Sequence, residues 1–189
     1  KDPYTQGEPT AMKKMGYVSF GPLVWGDDHD SRKIHDMMPE AKILWLETAH
    51  FRIGSSLQAF KLPKSSKARR RILLEVKELA KRLPRVKSKP RSISPWLRLH
   101  LYAARLERIY SQWQSLLAVS DSNFPSASNP LPRTSPKYMG RGPYLGMPDK
   151  FSVLLLKKAS NLTRYAVKNG QAMPKEPTPI CVNFLERGS

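Results

Sequence analysis

The chain is poor in acid and in sulfur. Fifteen Asp and Glu stand against 33 Lys and Arg over 189 residues, a formal net charge of +18. Self-repulsion on that scale opposes compaction until a polyanion relieves it, and a free enzyme gains nothing from carrying it. The single cysteine, Cys181, excludes an intramolecular disulfide and a thiolate zinc cluster, so neither a disulfide-stapled scaffold nor a zinc finger is expected. Long apolar runs are also missing. Phe151 to Leu156 is broken by Ser152 and followed by Lys157 and Lys158, far short of the roughly 20 residues that a spanning helix needs. No transmembrane segment is therefore expected, and nucleic acid becomes the expected polyanion. The opening at Lys1, without Met, fits the removal of an organelle presequence.

Catalytic constellations are scarce as well. Asp27, Asp28, His29 and Asp30, with His35 and Asp36 downstream, offer ligand types for a metal-dependent nuclease, but their spacing matches no metal motif. An acidic loop with Asp30 or Ser31 capping a short helix is the expected use. Gly140, Gly142 and Gly146 fail the dinucleotide fingerprint, because the spacing is wrong and Pro143 intervenes. His50 and His100 fall inside apolar helical patterns, where a structural role is the default. The expectation is a protein that is not an enzyme, with no cofactor, no metal and no small-molecule substrate.

What the chain does have is concentrated charge. Residues 1–60 carry 7 basic and 8 acidic groups, residues 61–119 carry 16 and 3, and residues 120–189 carry 10 and 4. Apolar residues recur in the middle third at helical spacing. Ile72, Val76, Leu79 and Leu83 predict a helix from Ser66 to Leu83, stopped by Pro84. Ser94 before Pro95 reads as an N-cap followed by a first-turn proline, and Leu99, Tyr102, Leu106, Ile109, Trp113 and Leu116 predict a helix from 95 to 119. The two pair as a helical hairpin, with Tyr102 and Trp113 expected in the core. Pro39 with Ile43, Leu46, Ile53, Leu57 and Phe60 predicts another helix, kinked at Gly54. Asp149 to Gly170 predicts a C-terminal one.

The expected fold is thus mainly α: a helical hairpin plus one or two further helices, with long extended Pro/Gly-rich arms. Its expected divisions are an extended arm with an acidic loop over 1–38, a helical core over 39–120, a Pro/Gly-rich extended segment over 121–148, a helix over 149–170 and an extended tail over 171–189.

The expected RNA contacts are Lys61, Lys64, Lys67, Arg69, Arg70, Arg71, Arg82, Arg85, Lys87, Lys89 and Arg91 in the basic run. Arg133, Lys137, Tyr138 and Arg141 join them from the proline-rich segment, where aromatic and basic groups interleave around Tyr144. No zinc-finger, RRM, KH or zipper signature accompanies them, which leaves backbone and shape recognition. Helices joined to proline-rich extensions, rich in Arg and Lys and poor in acid, resemble ribosomal proteins in composition and architecture. The resemblance implies a lineage-specific ribosomal protein of an organelle, located in the mitochondrial matrix, bound to rRNA and to neighbouring proteins of a large assembly. The alternative expectation is a non-catalytic accessory subunit of a mitochondrial respiratory or ATP-synthase complex, its basic face on anionic lipid or acidic subunits.

Overall fold

The computed structural model describes residues 1–26, 29–126 and 140–169. In chain order the elements of the first half are Pro9–Met15 (α1), Tyr17–Ser19 (β1), Val24–Trp25 (β2), His29–Asp30 (β3), Ser31–Met37 (α2), Leu44–Thr48 (β4) and Phe51–Ser55 (β5). Phe60–Lys61 (β6), Ser66–Arg82 (α3), Ser92–Ile93 (β7), Pro95–Leu116 (α4), Phe151–Leu155 (β8) and Ala159–Lys168 (α5) follow.

The fold is mixed α/β, which corrects the mainly α expectation. Its centre is a four-stranded sheet in the order β1-β4-β5-β8, antiparallel except that β8 runs parallel to β5. Residues 43–60 hold a β-hairpin instead of a kinked helix. Their apolar residues satisfy both periods, but the period of two governs: Leu46 faces Ile53 across the pair and Trp45 faces Gly54. Gly54 is no kink. A Cβ there would stand 2.5 Å from Trp45 Cζ3 and 2.8 Å from Leu154 Cδ1, so only glycine admits the indole against the strand. The expected helix over 149–170 likewise divides into β8 and a shorter α5, because Phe151 to Leu155 pair residue by residue with Phe51 to Ser55.

Alternation along the strands buries both faces of the sheet. On one, Leu46, Phe51 and Ile53 join Val76, Leu79, Leu97, Leu99 and Leu101 of α3 and α4 in the larger core. On the other, Trp45 and Leu154 pack with Trp25, Ile34, Met38 and Tyr165 of the β2–β3 hairpin, α2 and α5. Trp25 Nε1 donates to the Tyr165 hydroxyl at 2.9 Å and joins the two ends of that layer.

Residues 1–26 and 29–38 belong to this fold and are not an extended arm. Asp2, at 2% exposure, accepts from Thr5 Oγ1 at 2.6 Å and lies 3.0 Å from His100 Nε2, while His100 Nδ1 is 2.7 Å from the Tyr17 hydroxyl. The His100 ring thus bridges the Asp2 carboxylate and the Tyr17 hydroxyl. Burial alone would raise the Asp2 pKa, but the hydrogen bond and charge of His100 outweigh it and hold the group at about 2. Asp30 caps α2 through the Arg32 N–H, as the acidic-loop reading expects. The tail over 171–189 and residues 127–139 of the Pro/Gly-rich segment lie outside the described residues.

Candidate nucleic-acid interface

The two helices read from the middle third form almost where the spacing places them, and Ser94 caps α4 by accepting from the Leu97 N–H. What the sequence does not show is how the charge between them is framed. Phe60 pairs with Ile93 and Lys61 with Ser92, so the short β6–β7 ladder closes a loop whose two ends meet. Residues 60–93 therefore leave the body and return to the same point, carrying 13 Lys and Arg against Glu75 and Glu78. Leu62, Leu79, Leu83 and Val86 are buried and root this excursion in the larger core.

Amphipathicity turns α3 so that its charge faces outward. Val76, Leu79 and Leu83 lie inward, and Lys67, Arg70, Arg71, Lys77 and Lys81 all lie exposed on the opposite side. The first turn and a half, Ser66 to Arg71, extends beyond the core with every residue exposed. Neither acid neutralises this end. Glu75 turns inward to a bidentate pair with Arg105 of α4, at 2.6 and 3.2 Å, and Glu78 binds Lys81 at 2.8 Å. Among the described residues no ion pair engages Lys67, Arg69, Arg70 or Arg71. The first turn of α3 has no acidic residue, and the Ser65 side chain makes no cap. Lys67 and Arg69 thus occupy the end of the helix where the backbone dipole favours anions. Such an arrangement is unfavourable by itself and becomes favourable when an anion docks.

Lys61, Lys64, Arg85, Lys87, Lys89 and Arg91 are exposed on the segments flanking α3, with Lys61 held beside Ser92 by the strand pair. Arg82 departs from the expected list. Its guanidinium donates to the Lys14 carbonyl at the end of α1, with Nε at 3.1 Å, so it closes a helix–helix contact. Lys77 and Lys81, which the expected contacts omit, belong to the exposed row; their place on the helical wheel is the signal that marks them. Arg133, Lys137 and Tyr138 lie outside the described residues. Arg141 is exposed in a turn where its N–H donates to the Gly146 carbonyl, while Tyr144 packs edge-on against His50 at 6.4 Å.

Three other sites have different character. His50, at the β4–β5 turn, stacks on Tyr110 at 3.7 Å, with Nδ1 2.7 Å from Glu107 Oε2 and Nε2 3.4 Å from Asp121 Oδ2. Burial would lower its pKa, but hydrogen bonds and charge from Glu107 and Asp121 raise it, and burial of Glu107 is likewise outweighed by His50, so that carboxyl is lowered. A cavity of about 480 Å³ between α3, α4 and β1 is lined by both signs, Glu75, Glu78 and Glu107 with Arg82, Arg105 and Arg108, and offers no concentrated positive field. The last turns of α4 correct the expectation for Trp113. It is 52% exposed, in line with Ile109 at 47% and Leu116 at 75%, because the body ends before the helix does. No described helix is long and apolar enough to cross a membrane.

Compared with known proteins, the chain matches no family model, no curated protein and no solved structure.

Proposed function

We propose that this protein is a non-catalytic structural component of a ribonucleoprotein, a ribosomal subunit of an organelle being the assembly that best fits it, and that residues 60–93 hold it to RNA. One observation carries the reading: the positive charge is gathered on a closed excursion whose cations point outward, while its two acids are taken up by Arg105 and Lys81. A merely soluble surface mixes its signs. Here lysines and arginines crowd the anion-favouring end of α3, an arrangement that phosphates relieve. The mixed fold takes nothing from this reading, since it rests on the charged surface and not on the helix content. Contact with neighbouring proteins and location in the mitochondrial matrix are part of the same proposal.

Sedimentation of a gently lysed native extract, with and without ribonuclease, tests it. The protein should co-migrate with a ribosomal subunit and be released when the RNA is digested. Ribonuclease-resistant migration with a respiratory-complex marker would transfer the basic face to acidic subunits or anionic lipid and defeat the proposal.

A further inference from the structure

We infer that the surface on residues 60–93 is built for the sugar–phosphate backbone of double-stranded RNA, and not for unpaired bases. The inference rests on the RNA-binding reading above and concerns which form of RNA that same surface takes.

The chemistry available on the segment decides the point. From Lys61 to Ile93 there is no Phe, Tyr, Trp or His, and no Asn, Gln or Asp. Single strands are held by stacking successive bases on aromatic side chains, each stack contributing roughly 1–3 kcal/mol. This segment offers no such platform. Base edges are read by amides and carboxylates as well as by arginine; amides are absent, and the two carboxylates, Glu75 and Glu78, are taken up by Arg105 and Lys81. The one aromatic ring at its root, Phe60, is half-buried with the Arg98 guanidinium 4.9 Å above it. What remains is cations and serine hydroxyls, the groups that contact phosphate and ribose.

Geometry points the same way. Lys67, Arg70, Arg71, Lys77 and Lys81 lie along one face of an uninterrupted helix, and at 1.5 Å per residue the row spans about 21 Å. Val76, Leu79 and Leu83, which are 0–3% exposed, anchor the C-terminal half of that helix from below, and its first turns project from this anchor. A duplex presents phosphates in equally fixed lines, so rigid meets rigid with little ordering cost. A single strand has to be ordered on the surface, and without stacking only its more weakly charged backbone is left to offset that cost. A-form RNA also hides its bases in a deep, narrow major groove while displaying phosphates and 2′-hydroxyls, which suits a surface of this composition.

The test measures fluorescence anisotropy of the full chain with a mixed-sequence RNA duplex of about 16 base pairs, the span of a known duplex-binding domain, and with one of its strands made free of self-pairing. The duplex should bind roughly tenfold tighter or more at moderate salt, and shuffling its sequence should leave the affinity nearly unchanged. Replacing Lys67, Arg70, Arg71, Lys77 and Lys81 with Gln should lower the log–log salt slope for the duplex by up to about 4.5, at roughly 0.9 per phosphate neutralised. Exchanging only the three lysines for Arg should keep the slope, and circular dichroism of each variant confirms folding. Equal or tighter binding of the single strand, still dependent on the same side chains, would overturn the duplex inference and leave the RNA-binding reading standing. Failure to bind either RNA would overturn both.

Discussion

The layered body and the excursion over residues 60–93 treat charge in opposite ways. In the body, several acids are held by basic side chains: Asp2 by His100, Glu107 by His50, Glu40 by Arg164, and Glu47 by both Lys150 and Arg52. In the excursion cations outnumber acids 13 to 2, and the acids are committed to Arg105 and Lys81. Charge in the body therefore serves the fold, and charge in the excursion serves something outside it. Apolar contacts do not respect this division, because the excursion is rooted in the same core as the sheet. The molecule is one folding unit with two electrostatic regimes.

The largest expected effect lies in the body. Asp2→Ala leaves His100, at 0% exposure, without its carboxylate, and loss of one partner from a buried pair costs about 3–5 kcal/mol. Urea unfolding at neutral pH measures it. The pH dependence has a fixed sign: the Asp2 pKa falls from 3.8 to about 2 on folding, so its contribution is complete above 3.8 and disappears as pH falls towards 2. The variant should lose that part of the acid limb. Leu83→Ala comes next. Leu83 belongs to the excursion yet is 0% exposed, and such truncations cost about 2–5 kcal/mol. A single cooperative transition, shifted for both variants, would uphold one folding unit. A second transition confined to Leu83→Ala would divide the molecule in two.

A smaller effect is expected at His50. Its folded pKa is raised above 6.5 by Glu107 and Asp121, so the stabilisation is complete below 6.5 and is lost as pH rises through the folded value. Hydrogen bonds to charged partners contribute about 1.5–3 kcal/mol, and His50→Ala should lose that order of stability at pH 6 and less at pH 9. Titration of the His50 ring by NMR checks the direction; a folded pKa below 6.5 would contradict it. Phe151 and the Tyr110 and Tyr144 rings surround the same turn, so the substitution also tests how this end of the central hairpin is held against α4.

These two regimes were unequally legible in the sequence. Charge could be read because Lys61 to Arg91 are consecutive, and the α3 and α4 helices because caps and apolar spacing are local. The sheet could not. Ile43, Leu46, Ile53, Leu57 and Phe60 satisfy a helical period, and pairing with β1 on one side and with β8, about 100 residues away, on the other supports the extended hairpin. Gly54 looked like a break because the indole that needs its missing Cβ comes from the opposite strand. The first 38 residues looked like an arm because their anchor, Asp2 to His100, spans 98 positions. In the candidate interface, exposure of the row on α3 followed from the wheel. The withdrawal of Arg82 to the Lys14 carbonyl did not, since α1 lies 68 residues away. Trp113 was placed in the core by spacing alone, although α3 supplies no large apolar residue before Ile72 to extend the seam.

Removing charge from each of the two regimes is the sharpest comparison, and its effect on stability in the excursion is the smallest expected. Arg69, Arg70 and Arg71 are exposed with no ion pair among the described residues. Changing all three to Gln should leave the thermal midpoint nearly where it was, surface substitutions of this kind usually falling within about 0.5 kcal/mol each. A slight rise would follow from relieving Arg69 at the positive end of the helix dipole. The same variant should lower the salt slope of RNA binding by up to about 2.7, at roughly 0.9 per duplex phosphate. Lys150→Gln removes one charge but should destabilise, because Lys150 Nζ donates to Glu47 Oε1 at 2.9 Å and to the Thr48 carbonyl at 2.8 Å, with its side chain 12% exposed. Its RNA salt slope should not change. If the triple variant unfolds more easily than Lys150→Gln, the excursion's charge also serves the fold and the division between the two regimes is lost.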